Sequence, residues 1–299
     1  MALFGRVLTA MVTPFAADGS LDVDEAVRLA RWLADNGNDG LVVSGTTGES
    51  STLTDDEKLT LWREVAAAVT IPVVAGTGSN DTAHSVHLTA EASRLGIAGV
   101  LSVGPYYNRP SQSGIEAHIR AMAGATTLPV VVYDIPVRTG RKIATTTLVR
   151  LAREVANIRA LKDAAGNPAE TAVVIAQAPA GFDLYSGDDG LTLALLAHGA
   201  AGVIGVATHW SAPEHQRMIA AFAAGDHALA RRINDVLLES YAFETGDENP
   251  NPIPTKVMMN HLGFAVGECR LPMGPPPAGL AERAARVHDD LSKARAALG

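Results

Sequence analysis

The sequence has few of the residues that staple small secreted domains or build metal centres. Cys269 is the single cysteine among 299 residues, so no internal disulfide can form and nothing indicates an oxidising compartment. We interpret this cysteine as an inert thiol. The nine histidines show no metal-ligand spacing, and His84 and His87, three residues apart on a predicted helix, are interpreted as surface residues. We therefore expect neither a metal ion nor another cofactor.

Long apolar runs and clusters of basic residues are also absent. No run reaches the roughly 18 apolar residues that span a membrane. The segment before Thr13-Pro14 is too short for a signal peptide. The net charge is -8 and the 24 Lys and Arg residues are scattered, which argues against a nucleic-acid partner. No Gly-x-Ser-x-Gly nucleophile elbow occurs. We expect a cytoplasmic protein that binds neither nucleic acid nor membrane.

Apolar residues make up 47% of the chain, and they follow a repeated pattern. Eight short apolar runs cover residues 7–12, 40–43, 71–75, 99–103, 128–133, 158–162, 182–185 and 202–206. Between and after them, segments of helical length cover residues 23–34, 55–69, 82–95, 112–123, 146–155, 168–177, 190–196 and 212–223. Apolar runs without polar alternation are typical of strands buried on both faces of a parallel sheet. Eight such units predict a (β/α)8 TIM barrel over residues 1–224.

A doubly wound open sheet is the competing arrangement. It normally has a glycine-rich phosphate turn after its first strand, where this chain has Thr13-Pro14-Phe15. From Asp226 onward the pattern is only helical, with segments at residues 228–243, 255–262 and 278–298. We expect residues 225–299 to form a C-terminal helical extension packed on the barrel.

Lys162 is the most informative residue because it ends a mostly apolar run. Of the five lysines, Lys58, Lys142 and Lys293 lie among charged or polar neighbours and Lys256 follows a proline turn. We therefore expect Lys162 alone to be desolvated. Desolvation favours the neutral amine, which Schiff-base chemistry on a carbonyl requires. The alternative is a lysine at a strand end that reaches water along its apolar stem.

In a barrel of this kind, functional residues collect at the carboxyl ends of the strands. Four of the five tyrosines lie at or just beyond the ends of runs four, five and seven: Tyr106, Tyr107, Tyr133 and Tyr185. The second run is followed by a turn of small residues, at positions 44–50, whose backbone amides suit a carboxylate. Arg138 follows the fifth run, and Asp188 and Asp189 follow the seventh.

Each of these features also has an ordinary structural explanation. The turn can be a plain strand-to-helix connection, the tyrosines can plug the barrel mouth, and Arg138 can form a surface ion pair. For Asp188 and Asp189 we favour helix capping. The convergence of the other residues on one face of the barrel is what indicates a site.

Several motifs, in the same order along essentially the whole chain, resemble those of the dihydrodipicolinate synthase family. This family belongs to the lysine-dependent pyruvate aldolase superfamily. The motifs are Gly45-Thr46-Thr47-Gly48-Glu49-Ser50, Pro105-Tyr106-Tyr107-Asn108-Arg109-Pro110, Tyr133-Asp134-Ile135-Pro136-Val137-Arg138-Thr139-Gly140, Leu161-Lys162-Asp163, Ser186-Gly187-Asp188-Asp189 and Asn251-Pro252-Ile253-Pro254.

The resemblance implies a lyase of the class I aldolase type, acting in the biosynthesis of diaminopimelate and lysine. Lys162 would form an imine with pyruvate, and the derived enamine would attack aspartate 4-semialdehyde to give 4-hydroxy-tetrahydrodipicolinate. Tyr133 would relay protons together with Thr46 and with Tyr107 from a neighbouring subunit. The resemblance further implies a homotetramer, built as a dimer of dimers.

The resemblance also implies the residues that bind substrate. Thr47 and the turn amides would hold the carboxylate of pyruvate, and Arg138 would hold the carboxylate of the semialdehyde. Gly187 and Ile204 would line the site through their backbone carbonyls.

Two alternatives stay open. One is a pyruvate-dependent aldolase of the same superfamily that acts on a sugar-acid aldehyde, although Arg138 and the paired threonines favour the synthase. The other is a non-catalytic ligand-binding relative. The sequence departs from the usual pattern after the eighth run, where we expect Trp210 near the rim of the second substrate pocket. His84 stands where lysine-inhibited relatives have an acidic residue, so we expect weak inhibition by lysine.

Overall fold

The computed structural model of the chain describes residues 2–297. Met1, the first residue of the predicted barrel (1–224), and residues 298–299, the last two of the predicted extension (225–299), lie outside the described residues. Eight parallel strands pair in sequence order and close into a barrel between the last strand and the first. They are β1 (Val7–Ala10), β2 (Gly40–Val43), β3 (Val73–Gly76), β4 (Gly99–Val103), β5 (Val130–Asp134), β6 (Ile158–Asp163), β7 (Asp183–Ser186) and β8 (Gly202–Gly205). The predicted (β/α)8 barrel is confirmed.

Both faces of the barrel strands are buried, which explains their unbroken apolar sequences. Successive side chains of a strand point to opposite faces of the sheet. In β1, Leu8 and Ala10 belong to the cluster that fills the barrel interior. In β2, Leu41 and Val43 belong instead to the outer cluster, which also contains Leu29 of the first helix. Each buried leucine or valine among them contributes roughly 1.5–3 kcal/mol through its burial.

Helices follow the strands and cover the outside of the barrel. They are α1 (Val23–Asp35), α2 (Asp55–Ala68), α3 (Thr82–Ala92), α4 (Gln112–Gly124), α5 (Pro136–Thr139), α6 (Thr145–Glu154), α7 (Pro168–Gln177), α8 (Thr192–His198) and α9 (Thr208–Ala223). At the start of α2, the Thr54 hydroxyl accepts from the Glu57 amide and the Glu57 carboxylate accepts from the Thr54 amide. Within residues 2–297, no helix has the length and apolar character that crossing a membrane requires.

The element bounds differ from the sequence predictions mainly near prolines. Strand β3 begins at Val73, just after Pro72, which has no amide hydrogen to donate to a neighbouring strand. Helix α5 is a single turn that the apolar pattern does not reveal. Helix α9 begins at Thr208, before the predicted start at residue 212, and its backbone leaves helical geometry at Ser211, two residues before Pro213.

Three helices follow the barrel in the chain, namely α10 (His227–Glu244), α11 (Ile253–His261) and α12 (Leu280–Ala297). Their buried side chains, among them Leu237, Met258 and Leu291, form one apolar cluster with residues of α9. Helix α10 packs along α9 on one side and α12 on the other. The end of α10 thereby reaches the carboxyl-terminal mouth of the barrel.

The prediction that Trp210 lies at the rim of the substrate pocket is wrong. Its indole is 5% exposed, lies edge-on to Phe243 at a centroid distance of 6.0 Å, and donates a 3.0 Å hydrogen bond to the Ser240 hydroxyl. Both contacts are to α10. The indole fills the space between α9 and α10 because that packing buries its apolar surface and satisfies its N–H group.

Candidate active site

Neighbouring strands hold three of the rare polar side chains in register. Parallel pairing places Tyr133 of β5 opposite Lys162 of β6, and Lys162 opposite Tyr185 of β7. Tyr133 and Tyr185 belong to the cluster inside the barrel. The register therefore directs Lys162 into the barrel at its carboxyl-terminal end, as the strand pattern predicts.

A cavity of about 510 Å³ opens at this end of the barrel. Its volume lies in the range of small-molecule sites. Six of the residues singled out from the sequence line it: Thr46, Thr47, Tyr133, Arg138, Lys162 and Gly187. The structure thus brings together side chains that are up to 141 positions apart in the sequence, from Thr46 to Gly187.

Lys162 is 4% exposed, and its Nζ lies 4.5 Å from the centroid of the Tyr133 ring. Burial lowers the pKa of Lys162 from 10.5 to about 8, against the opposing charges of Asp189 and Glu244. Gly187 leaves room for this side chain, since a Cβ there would stand 3.0 Å from Lys162 Cγ and 3.1 Å from Cε. A substantial fraction of the amine is therefore neutral near physiological pH.

The phenol of Tyr133 is also buried, with 4% of the residue exposed. Burial raises the pKa of Tyr133 above its ordinary value of 10, while the Arg138 charge and a hydrogen bond with Thr46 act in the opposite direction. The phenol is therefore protonated at neutral pH. It can donate a proton to a group in the cavity and recover it through Thr46.

The turn after β2 has a backbone that positions its amides and hydroxyls around the cavity. Ser44 and Glu49 have positive φ values of 53° and 54°. The Ser44 hydroxyl accepts a 2.7 Å hydrogen bond from the Trp62 indole, which fixes the start of the turn. Gly76 of the adjacent strand is required, because a Cβ there would lie 2.3 Å from the Ser44 carbonyl oxygen. Such a rigid turn suits the binding of a carboxylate.

Arg138 stands at the mouth of the cavity, in the last turn of α5. Its Nη2 donates to the carbonyl oxygen of Asn251 at 3.4 Å. The side-chain amide of Asn251 in turn donates to the Thr47 hydroxyl at 2.9 Å. Asn251 thus connects the two groups that the sequence marks as candidate carboxylate ligands.

The segment after the barrel supplies part of the cavity wall, which the sequence did not predict. Tyr241 and Glu244 come from α10, and Asp247 and Asn251 come from the loop that follows it. Glu244 is 7% exposed and its Oε2 accepts from the Ala207 amide at 2.7 Å. The motif that begins at Asn251 is the one sequence feature that points to this part of the cavity wall.

Some of the predicted residues do not line the cavity of this single chain. Tyr107 is 89% exposed with a φ of 71°, so a place in the site would require a second subunit. Ile204 is fully buried inside the barrel. Tyr185 is also buried, and its hydroxyl accepts from the Phe4 amide at 3.3 Å, before the start of β1, so this tyrosine fills the barrel interior and does not plug the mouth.

The two aspartates after β7 differ from each other. The Asp188 side chain accepts from the Gly190 amide at 3.0 Å and caps a 3₁₀ turn at Asp189–Leu191, as favoured from the sequence. Asp189 is fully buried and instead accepts from the Val206 amide at 2.8 Å. Asp188 also lines the cavity. In the part of the chain that the structure describes, no group of three His, Cys, Asp or Glu residues is placed to hold a metal ion.

Comparisons with known proteins identify the family of this chain. The sequence pattern of the dihydrodipicolinate synthetase family matches residues 3–292. The chain is 50% identical over 272 residues to a 4-hydroxy-tetrahydrodipicolinate synthase of Moorella thermoacetica, an alignment that covers 90% of this chain and 92% of that protein.

Solved structures of related proteins have the same fold. A dihydrodipicolinate synthase from Bacillus anthracis has a TM-score of 0.93 at 42% identity and covers 97% of this chain and 99% of its own. The enzyme from Cyanidioschyzon merolae, solved with lysine bound, has a TM-score of 0.94 at 42% identity and covers 98% of this chain and 99% of its own. The similarity therefore extends over the barrel and the C-terminal helices.

Proposed function

Because this chain belongs to the dihydrodipicolinate synthetase family, we propose that its cavity condenses pyruvate with aspartate 4-semialdehyde, with Lys162 as the nucleophile. The protein is a Schiff-base lyase of the class I aldolase type, a 4-hydroxy-tetrahydrodipicolinate synthase of lysine and diaminopimelate biosynthesis. The observation that carries the role of Lys162 is its desolvated amine at the base of the cavity, with a pKa of about 8.

In the first step, the neutral amine of Lys162 adds to the ketone carbon of pyruvate. The hydroxyl group of the resulting adduct takes up a proton and leaves as water, which gives a protonated imine. Loss of a proton from the methyl group then gives an enamine. Its terminal carbon forms a bond to the aldehyde carbon of the semialdehyde, and the aldehyde oxygen takes up a proton.

In the last step, the amino group of the semialdehyde moiety attacks the imine carbon. The bond from that carbon to Lys162 breaks, and the amine of Lys162 leaves with a proton. The ring so formed is 4-hydroxy-tetrahydrodipicolinate, and the enzyme returns to its starting state. Each transfer needs a proton donor or acceptor within hydrogen-bond reach of the reacting atoms.

Tyr133 and Thr46 are the proposed carriers of these protons. Both line the cavity, and the Tyr133 ring lies beside the Lys162 amine. We place Tyr107 of a partner subunit at the far end of this relay, since in the single chain that side chain is exposed. The proposed relay therefore requires at least a dimer, and a homotetramer arranged as a dimer of dimers would meet that requirement.

The carboxylates of the two substrates have separate proposed ligands. Thr47, which lines the cavity, and the amides of its turn are the proposed ligands of the pyruvate carboxylate. The planar guanidinium of Arg138, at the mouth, suits the carboxylate of the second substrate. The Gly187 backbone lines the cavity beside Lys162, whereas Ile204 lies deeper in the barrel, and its proposed role is confined to its backbone.

Reduction with borohydride in the presence of pyruvate tests the proposed nucleophile. The imine would be reduced to a stable secondary amine, and peptide mass spectrometry would locate the adduct on Lys162. Lys256 is a matched internal control because it is equally buried but does not line the cavity. Absence of an adduct on Lys162, or an adduct on Lys256 alone, would contradict the proposed mechanism.

A second assay tests the acceptor. Aspartate 4-semialdehyde and sugar-derived aldehydes are supplied in turn to the enzyme with pyruvate, and pyruvate consumption is followed. We expect turnover with the semialdehyde and a kcat/KM at least about 100-fold lower with the sugar aldehydes, because these lack the carboxylate that Arg138 would bind. A preference for the sugar aldehydes would identify an aldolase of the same superfamily, and binding of pyruvate without any turnover would identify a non-catalytic relative.

A further inference from the structure

Two buried carboxyl groups bind consecutive backbone amides next to the active-site lysine. Asp189 Oδ2 accepts from the Val206 amide at 2.8 Å, and Glu244 Oε2 accepts from the Ala207 amide at 2.7 Å. Asp189 follows β7 and Glu244 ends α10, so the two come from distant parts of the chain. The two carboxyl groups therefore bind neighbouring amides, and the charge of Asp189 acts directly on Glu244.

The surroundings of this carboxyl pair contain little to neutralise two negative charges. Asp189 is fully buried, and its Oδ1 has no hydrogen-bond partner among the described residues. The nearest ring nitrogen is His215 Nε2 at 3.6 Å from Oδ1. The same nitrogen lies 3.4 Å from the Tyr241 hydroxyl, while His215 Nδ1 contacts the Ser211 carbonyl oxygen at 2.9 Å.

The remaining charged groups that act on the pair are Lys162 on β6 and Asp188 after β7, and Arg138 in α5 acts in turn on Lys162. Burial raises the pKa of both Asp189 and Glu244, and the Asp189 charge raises the pKa of Glu244 further. The His215 charge lowers the pKa of Asp189, and the amide hydrogen bonds and the Lys162 charge lower the pKa of both carboxyl groups. Buried carboxyl groups that interact strongly titrate as a pair.

We propose that Asp189 and Glu244 share one proton and act together as a single buried negative charge that favours the cationic forms of the Lys162 nitrogen. Those forms are the ammonium ion and, if the proposed function holds, the protonated imine with pyruvate. Neither carboxyl group reacts with the substrate, so both are positioning residues. The charge counteracts desolvation, which alone would keep the lysine nitrogen neutral and weaken the imine as an electron sink.

A purely structural role would give different results. Val206 and Ala207 immediately precede α9, so the two carboxyls also serve as hydrogen-bond acceptors for backbone amides of the turn that leads into that helix. If they did nothing more, their replacement would lower the melting temperature without changing the titration of Lys162.

The test measures the pKa of Lys162 without substrate. Trace acetic anhydride labels neutral amines, and mass spectrometry of the Lys162 peptide across a pH series gives the midpoint of its titration. The variants are Glu244→Gln, Asp189→Asn and the double variant, with the remote Glu116→Gln as control. Glutamine and asparagine retain an oxygen that can accept from the Ala207 and Val206 amides.

With one shared proton, each single variant leaves one carboxylate that ionises alone. We therefore expect each single variant to move the midpoint by less than about 0.5 unit, and the double variant to lower it by at least about one unit, a tenfold change in the proton affinity of Lys162. Equal, additive shifts in the single variants would show two full charges, and an unchanged midpoint in the double variant would show a structural role. Either result would overturn the proposal.

An infrared measurement keeps the proposal testable if the double variant fails to fold. The wild-type protein at neutral pH should show the C=O stretch of a protonated carboxyl group, and Glu244→Gln should remove it because Asp189 then ionises. Absence of that band from the wild-type spectrum would refute the shared proton. Pyruvate trapping on the wild-type enzyme is scored separately, so failure of the proposed function and failure of this inference are distinguishable.

Discussion

Two of the three buried lysines in this molecule, Lys162 and Lys256, are similarly buried but differ in their hydrogen-bond partners. Lys162 is 4% exposed and Lys256 is 2% exposed. Each ammonium lies over an aromatic ring, with Lys162 Nζ at 4.5 Å from the centroid of Tyr133 and Lys256 Nζ at 4.1 Å from that of Phe15. Burial lowers the pKa of both. Burial alone therefore does not distinguish a nucleophile from a structural lysine.

The partners of the two amines make the difference. Lys256 Nζ forms a 2.7 Å ion pair with Glu49 and donates to the Glu268 carbonyl oxygen at 2.9 Å. Lys162 makes no ion pair with any residue that the structure describes, and it faces a cavity. An ion pair with a carboxylate favours the ammonium form of a lysine, and an ammonium group has no lone pair to offer a substrate. The missing partner and the access to the cavity are the two observations that support the proposed reactivity of Lys162.

Replacement of the unpaired lysine gives the largest expected effect. Lys162→Met should lower kcat for the condensation by at least about 10⁴-fold, since the covalent route is lost and no other described lysine lines the cavity. Steady-state kinetics with pyruvate and aspartate 4-semialdehyde would measure the change. A variant that kept a tenth of the wild-type kcat would show that Lys162 is not the nucleophile.

The same substitution at the paired lysine should act on stability. Lys256→Met leaves Glu49, a side chain with 2% exposure, as an uncompensated buried charge. The expected loss is about 3–5 kcal/mol in the free energy of unfolding, measured by urea denaturation. The double variant with Glu49→Gln removes the unpaired carboxylate and should regain part of the lost free energy of unfolding. If the single variant stayed within about 1 kcal/mol of the wild type, the ion pair would contribute little to stability.

The aromatic rings beside the two lysines also differ. The ring beside Lys162 belongs to Tyr133 and carries a hydroxyl group, whereas the ring beside Lys256 belongs to Phe15 and carries none. Tyr133→Phe keeps the ring beside Lys162 and removes the proposed proton carrier, so we expect kcat to fall by roughly 10²–10³-fold. Tyr185→Phe, in register on the neighbouring strand, is the matched control. Its hydroxyl binds the Phe4 amide away from the cavity, and kcat should change less than about threefold. Equal losses in the two variants would indicate a packing effect.

The strand ends of a barrel could be read from the sequence because each apolar run is local. Once eight runs are recognised, the side chains that follow them are expected to meet at one mouth of the barrel, and Tyr133, Arg138 and Lys162 do meet there. Contacts between distant segments of the chain could not be predicted in this way. The prediction that Lys162 alone is desolvated was wrong, because Lys256 is buried against Glu49, 207 positions earlier in the chain.

The contribution of α10 to the site could not be predicted for the same reason. Glu244 meets the Ala207 amide only because α10 packs along α9, and no local pattern specifies that packing. Trp210 was misplaced because its position in the chain, just after β8, suggested the rim. Its large apolar ring instead found a buried place between the two helices. Local sequence specifies the strand ends, and packing between helices decides which other side chains join them.

The smallest expected effect is a change in stability on replacement of Lys162. Its sign is opposite to that expected for Lys256→Met, because Lys162 has no ion-pair partner among the described residues. Its pKa falls from 10.5 to about 8 on folding, so between these values the unfolded chain binds more protons and stability rises with pH. At pH 7 the folded state therefore carries a penalty of roughly 3 kcal/mol, which Lys162→Met should remove. Urea denaturation at several pH values should show the variant more stable than the wild type at pH 7, with a gain that shrinks above pH 8 and vanishes near 10.5. A gain that did not change with pH would arise from packing, and a loss at pH 7 would mean that Lys162 is as well compensated as Lys256.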